Sequence, residues 1–371
     1  MAKISRQFVS LASATGRPNP VGFQPCQGLY YTRPHEKPQV AFIATHYNVD
    51  FSEHYLAPLL AEKGFGFLGW NTRYRGNEPW FILEHALLDI AAGIAWLREE
   101  ARVQKIVVLG NSGGGSLMGA YLSQATSPNI RPVPGMRLPG GLDDLPVADF
   151  YISLNAHGGR PEVLTDWMDP SVTDERDPLS IDEALNMYNP ENGPPYSPAF
   201  IEKYRAAQRA RNQRITDWVV SEIERLSVRG VYERLFTMAR VWADLRLMDA
   251  SIDPSRRPIG VCYAGDAQKA NFDARGIGSS STLRSWLSMW SLEHSKCSGP
   301  QHLSQITVPS LVIQSDADTG VFPGDAEQIY RCLASVDKTL EMVPGDHYLT
   351  EPEGAREQVT GRIVEWLSDR L

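Results

Sequence analysis

The chain lacks the features that mark a membrane protein, a nucleic-acid binder or a metalloprotein. No stretch of its 371 residues approaches the apolar length needed to cross a bilayer. Its amino terminus, Met1-Ala2-Lys3-Ile4-Ser5-Arg6-Gln7-Phe8, has no apolar segment ahead of a small-residue cleavage site. A cytoplasmic protein without a membrane partner is therefore expected. The 4 cysteines, Cys26, Cys262, Cys297 and Cys332, are scattered with no C-x-x-C pair, so neither a disulfide framework nor a zinc site is expected. His294, Cys297 and His302 have the residue types of metal ligands without a zinc spacing, and a polar hinge is the better reading. A formal charge of -8 argues against nucleic acid as a partner. There is no phosphate-cradling glycine loop, no dinucleotide fingerprint and no internal repeat, and no cofactor is implied.

What is present is ordinary globular composition, 42% hydrophobic and 22% charged, which excludes a disordered or fibrous chain. The length favours one large domain with an insertion, or two domains. From about residue 5 to 125, short apolar runs alternate with amphipathic helices, the rhythm that builds a mainly parallel sheet. The first two strands, around Phe8 to Leu11 and Gly28 to Thr32, read as antiparallel and peripheral across a Pro/Gly-rich turn. Strand rhythm fades between His157 and about Ile306. There Ser197-Pro198 opens a long helix, a second helix is expected through Leu235, Met238, Val241, Trp242, Leu245 and Met248, and a third from about Ser281 to Glu293. It returns with Val308 to Gln314 and continues to a carboxy-terminal helix through Val359, Ile363 and Trp366.

The chemistry-bearing stretch is Gly110-Asn111-Ser112-Gly113-Gly114. It matches G-x-S-x-G and follows the apolar run Lys105-Ile106-Val107-Val108-Leu109, so a strand feeds a sharp turn that exposes the Ser112 hydroxyl. A serine needs a base to take its proton, and the base is best held by a carboxylate. Asp316 and Asp318 lie directly after the strand that ends near Gln314. His347, in Pro344-Gly345-Asp346-His347, follows the last strand. The order Ser, Asp, His is the one this strand-turn-helix architecture uses.

With Thr45-His46-Tyr47-Asn48 after the third strand and Arg73-Tyr74-Arg75-Gly76 after the fourth, these motifs make the chain resemble the α/β-hydrolase superfamily with a large cap. The resemblance covers about residues 28 to 155 and 306 to 371. It implies an α/β fold with a mainly parallel eight-stranded sheet flanked by helices, a core of residues 1–156 and 306–371, and an inserted, mostly helical cap over residues 157–305. It implies Ser112 as nucleophile, His347 as base and Asp318 as acid, since Asp318 with Val321 and Pro323 resembles the D-x-x-V-x-P loop of such hydrolases. The oxyanion would be held by the backbone N–H of Gly113 and by one from the loop after the third strand, Asn48 first and Tyr47 second.

Two positions depart from the family pattern. Tyr47 stands where glycine often follows the histidine, so an aromatic side chain is expected near the pocket, and Asp346 adds charge beside the base. Serine at the elbow argues against the haloalkane dehalogenases and epoxide hydrolases of this fold, which use aspartate.

The expected activity is hydrolysis of a carboxylic ester or lactone of a small to medium apolar substrate through an acyl-enzyme. The same residues would serve a C–C bond hydrolase or an acyltransferase, and a non-catalytic ligand-binding protein is a third reading. His157, Trp286 and Trp290, with Tyr263, are candidate substrate contacts. The basic run Lys203, Arg205, Arg209, Arg211 and Arg214 reads as a solvated helix face. The partner expected is a small-molecule substrate; a homo-oligomer is compatible with the sequence.

Overall fold

In the computed structural model, which describes residues 3–15 and 25–371, eight strands form one sheet. They are β1 (Ser5–Leu11), β2 (Cys26–Thr32), β3 (Val40–Ala44), β4 (Gly66–Asn71), β5 (Lys105–Asn111), β6 (Phe150–Leu154), β7 (Ser310–Ser315) and β8 (Lys338–Val343). The sheet has 8 strands in the order β1-β2-β4-β3-β5-β6-β7-β8. β1 pairs antiparallel with β2, and β2 antiparallel with β4. All other neighbours run parallel. The turn expected between β1 and β2 lies outside the described residues.

Central strands of a parallel sheet are covered on both faces, which is why β3 to β7 are almost continuous apolar runs. Alternate residues divide between the two faces. Val107 and Leu109 of β5 join the layer holding Leu60 of α1 (Ala57–Glu62) and Val359 and Ile363 of the last helix (Ala355–Ser368), while Ile106 and Val108 pack with Leu87, Ile90 and Ile94 of α2 (Leu83–Glu99). Because β3, β5, β6, β7 and β8 are parallel, the loops that leave them emerge at one edge, where open α/β sheets bind ligands. His46, Ser112, Asn155, Asp318 and His347 all lie on those loops.

Residues between β6 and β7 carry the inserted segment. Its first helices are α4 (Arg160–Trp167) and α5 (Pro198–Ser227). Ser197 caps α5 through the Phe200 N–H at 3.2 Å, with Pro198 in the first turn, as its sequence indicates. The second expected helix does not form. Leu235–Thr237 is instead a short strand paired antiparallel with Ser280–Thr282. Arg240 has φ +60, which ends any helix, and its Nε reaches Asp169 Oδ2 at 2.7 Å. A tertiary ion pair here overrides the apolar periodicity. The third expected helix is a single turn followed by a π-helical stretch, Trp286–Trp290.

The basic run on α5 divides: Lys203, Arg209 and Arg214 are exposed, as a solvated face requires, while Arg205 and Arg211 turn inward. Arg211 is buried, with Nε and Nη2 on Glu175 at 2.7 and 2.6 Å, and Arg205 reaches Asp244 at 2.9 Å. These arginines tie α5 to the rest of the inserted segment rather than offering charge to a ligand.

Candidate active site

β5 runs into α3 (Gly114–Thr126) through Ser112, whose φ is +55. A residue with a Cβ adopts that left-handed backbone at a cost of roughly 1–3 kcal/mol, tolerated where surrounding bonds over-determine it. Here they do. The Ser112 N–H donates to the carbonyls of Leu154 and Asn155, both at 3.1 Å, and its carbonyl accepts from the N–H groups of Gly115 and His157, both at 3.1 Å. Gly114 lets α3 begin against the β3 loop, since a Cβ there would run into the Thr45 carbonyl oxygen. The Asn111 amide bonds the Leu154 carbonyl at 2.8 Å, and its Oδ1 pairs with His54 Nε2 at 3.1 Å. His54 Nδ1 accepts from the Leu56 N–H at 3.2 Å, so its proton sits on Nε2, and burial pushes its pKa down to about 4.

After β7, Asp318 Oδ2 lies 2.7 Å from His347 Nδ1. The other carboxylate oxygen of Asp318 accepts from the N–H groups of Gly320 and Val321 at 2.9 and 3.0 Å, which fixes the plane of the group. Asp316 points elsewhere: it pairs with Arg256 Nε and Nη2 at 2.6 and 2.8 Å. Asp346, expected to add charge beside the histidine, is turned into its own loop and accepts from the Thr350 N–H at 2.6 Å.

The His347 loop is anchored by Asn155. Its Nδ2 donates to the His347 carbonyl at 3.1 Å and to Ser315 Oγ at 2.9 Å, while its Oδ1 accepts the Ser315 N–H at 2.7 Å. From the inserted segment, Tyr263 brings its hydroxyl to 3.4 Å from His347 Nδ1.

Ser112 and His347 open onto one pocket of about 200 Å³, shared with His46, Phe51, Asn111 and Tyr348. The His46 ring was legible only as part of a loop, and its geometry is informative. Its Nδ1 accepts the N–H groups of Asn48 and Val49 at 3.3 and 3.2 Å, leaving the proton on Nε2. That nitrogen stands 2.7 Å from where a Cβ on Gly113 would be. Burial, reinforced by the positive charge of Arg160, holds the His46 pKa well below the usual histidine range, so the ring is neutral.

In the loop after β3 one of the two expected backbone donors is already engaged. The Asn48 N–H is engaged by His46, and its carbonyl accepts the Gly76 N–H at 2.7 Å. The Tyr47 ring does not line the pocket: it is buried in the core with its hydroxyl 3.0 Å from Ser116 Oγ. Gly113 is the N-cap residue of α3, so its N–H lies at the positive end of that helix.

The sheet order, the strained serine between β5 and α3, and the aspartate–histidine pair at the same edge can be set against known structures. In fold the chain is similar to the α/β-hydrolase GrgF from Penicillium sp. sh18, at 11% identity and a TM-score of 0.54, covering 98% of each chain. The chain has the α/β-hydrolase fold. DcsB, solved in complex with its substrate analogue, is also similar, at 12% identity and a TM-score of 0.52 over 98% of this chain and 99% of that one. No family model matches the sequence, and no curated protein matches it.

Within this α/β-hydrolase fold the remaining sequence candidates separate. His157 is buried behind Ser112, its ring 5.7 Å from Trp167, with a pKa well below the usual range through burial first and then Arg160. Trp286 is in the core of the inserted segment, its Nε1 on Thr216 Oγ1 at 3.0 Å, away from the pocket lining. Trp290 is likewise buried and does not line the pocket, its ring 5.5 Å from the Arg160 guanidinium carbon. Arg160 is not legible in the sequence, because nothing in Gly158-Gly159-Arg160 signals that the side chain is buried.

Proposed function

We propose that the protein is a serine hydrolase that cleaves a carboxylic ester or lactone through an acyl-enzyme, with residues 157–305 acting as a cap. One observation carries the reading: a serine at φ +55 between strand and helix shares its pocket with a histidine whose Nδ1 is held 2.7 Å from a buried aspartate. With Nδ1–H committed to Asp318, the lone pair of His347 is on Nε2, the nitrogen that takes the Ser112 proton and returns it to the leaving alcohol. Asp318, fixed by two backbone N–H groups, stabilises the imidazolium that forms.

The tetrahedral oxyanion is held by the Gly113 N–H and by Nε2–H of His46, which takes the place expected of Asn48. A neutral imidazole suits this role, since its proton stays bound throughout. Each such donor contributes about 3 kcal/mol of transition-state stabilisation. The pocket of about 200 Å³ favours a small acyl group.

Kinetics on a panel of p-nitrophenyl esters of increasing chain length, with product analysis in competing nucleophiles, tests the reaction class. Hydrolysis of short esters, reduced about 10⁴-fold or more in Ser112→Ala, supports it. Binding without turnover by wild type would favour the ligand-binding reading, and transfer to the added nucleophile an acyltransferase.

A further inference from the structure

Arg160, at the start of α4, is 1% exposed, yet its Nε and Nη2 have no hydrogen-bond partner, and it forms no ion pair among the described residues. A guanidinium cannot shed its charge, and burying one without compensation is strongly unfavourable. Nε and Nη2 are also the two donors that form one side of the fork, the pair that grips a carboxylate in a bidentate manner. In three other arginines that side of the fork is filled. Arg73 presents Nε and Nη2 to Asp89 at 2.9 and 2.6 Å, Arg211 to Glu175 at 2.7 and 2.6 Å, and Arg246 to Asp244 at 3.0 and 2.7 Å. Arg160 has the same geometry on offer and nothing in it.

Its place is specific. Nη2 stands 2.5 Å from where a Cβ on Gly113 would be, on the residue next to Ser112. The guanidinium lies over the Tyr47 ring at 4.4 Å, which holds it flat without using its N–H groups. The indole Nε1–H of Trp290, on the other ring beside the guanidinium, also lacks an acceptor. The nearby acid does not fill the gap. Glu78 makes no direct ion pair with Arg160: it accepts the Gly278 N–H at 3.1 Å through Oε2, its Oε1 has no partner, and burial raises its carboxyl pKa against the opposing pull of the Arg160 charge.

We propose that Arg160 is an anion-recognition residue, receiving through Nε and Nη2 a carboxylate carried on the acyl part of the substrate. The substrate class is then a short ester or lactone bearing a free carboxylate close to the scissile carbonyl. This rests on the hydrolase reading for the word substrate, but the anion subsite itself does not depend on turnover. The carboxylate is a spectator: it orients the acyl group while Ser112 attacks, and no bond to it forms or breaks.

Two measurements test this separately. The first is the ratio of kcat/KM for the p-nitrophenyl monoesters of succinate and glutarate to that for p-nitrophenyl butyrate, taken within one protein so that the amount of active enzyme cancels. Wild type is expected to favour the anionic esters about 10- to 100-fold, with Arg160→Gln erasing the preference and Arg160→Lys retaining part of it. The second is thermal denaturation with free glutarate and with glutaramide. Glutarate is expected to raise the Tm of wild type but not of Arg160→Gln, and glutaramide to raise neither.

A wild type that shows no anionic preference, or an Arg160→Gln protein that keeps it, overturns the proposal, as does glutarate stabilisation that survives in Arg160→Gln. If no ester is hydrolysed, the hydrolase reading fails, and the glutarate shift alone then decides the subsite.

Discussion

Replacing His46 with asparagine separates the loop-capping role of its ring from the oxyanion role proposed for it. The amide oxygen of asparagine stands close to the position of Nδ1 and can still accept the Asn48 and Val49 N–H groups, which now bond at 3.3 and 3.2 Å. The ring's own donor is then gone from the space beside Gly113, where only Arg160 Nη2 still stands. The loop is kept and one oxyanion donor is lost. Such a loss is about 3 kcal/mol, or roughly 100-fold in kcat. KM changes little, because the donor acts on charge that develops only in the transition state.

Since the ring is neutral in the wild type, its removal also leaves the acid limb of the pH–rate profile where it was. Steady-state kinetics on a p-nitrophenyl ester, with circular dichroism as a control for folding, reads all of this. A folded His46→Asn protein with kcat within a few-fold of wild type would refute the assignment and return the role to a backbone N–H of the loop.

Asn155→Ala leaves the Ser315 N–H, Ser315 Oγ and the His347 carbonyl without their buried partner. Stability is expected to fall by at least about 2 kcal/mol, and kcat to fall with it as the His347 loop loosens; unchanged Tm and kcat would show that the loop holds itself. Acid should destabilise the fold in a defined window. His54 and His302 are buried, with pKa values lowered from 6.5 to about 4. Between those two pH values the unfolded chain takes up the protons that the folded chain excludes. Stability therefore drops as pH falls from about 6.5 to 4, by about 3 kcal/mol for each histidine, and these two groups add nothing further below. Urea midpoints measured across that range check it, and a flat profile would mean that both rings protonate in place.

The legible parts of the sequence were those set by local pattern. The run Lys105 to Leu109 entering Gly110-Asn111-Ser112 could only be a buried strand meeting a tight turn, and the structure has both. Asp318 and Asp316 were told apart by register, and the geometry separates them because Asp316 is taken up by Arg256. The inserted segment was harder, since its order depends on partners far away in sequence. Arg240 turns at φ +60 to meet Asp169, 71 residues earlier, and a helix pattern cannot register that. The placements of His46 and Arg160 are hidden for the same reason. One depends on which nitrogen its own loop caps, the other on a burial that no run of neighbouring residues encodes.

The proposed reaction turns on Ser112 being an activated nucleophile, and covalent labelling reads that most directly. Intact mass spectrometry after treatment with a fluorophosphonate should show one adduct, located by peptide mapping on Ser112. It should be absent in Ser112→Ala and much slower to form in His347→Ala. No adduct on wild type, or labelling that persists in Ser112→Ala, would contradict the account.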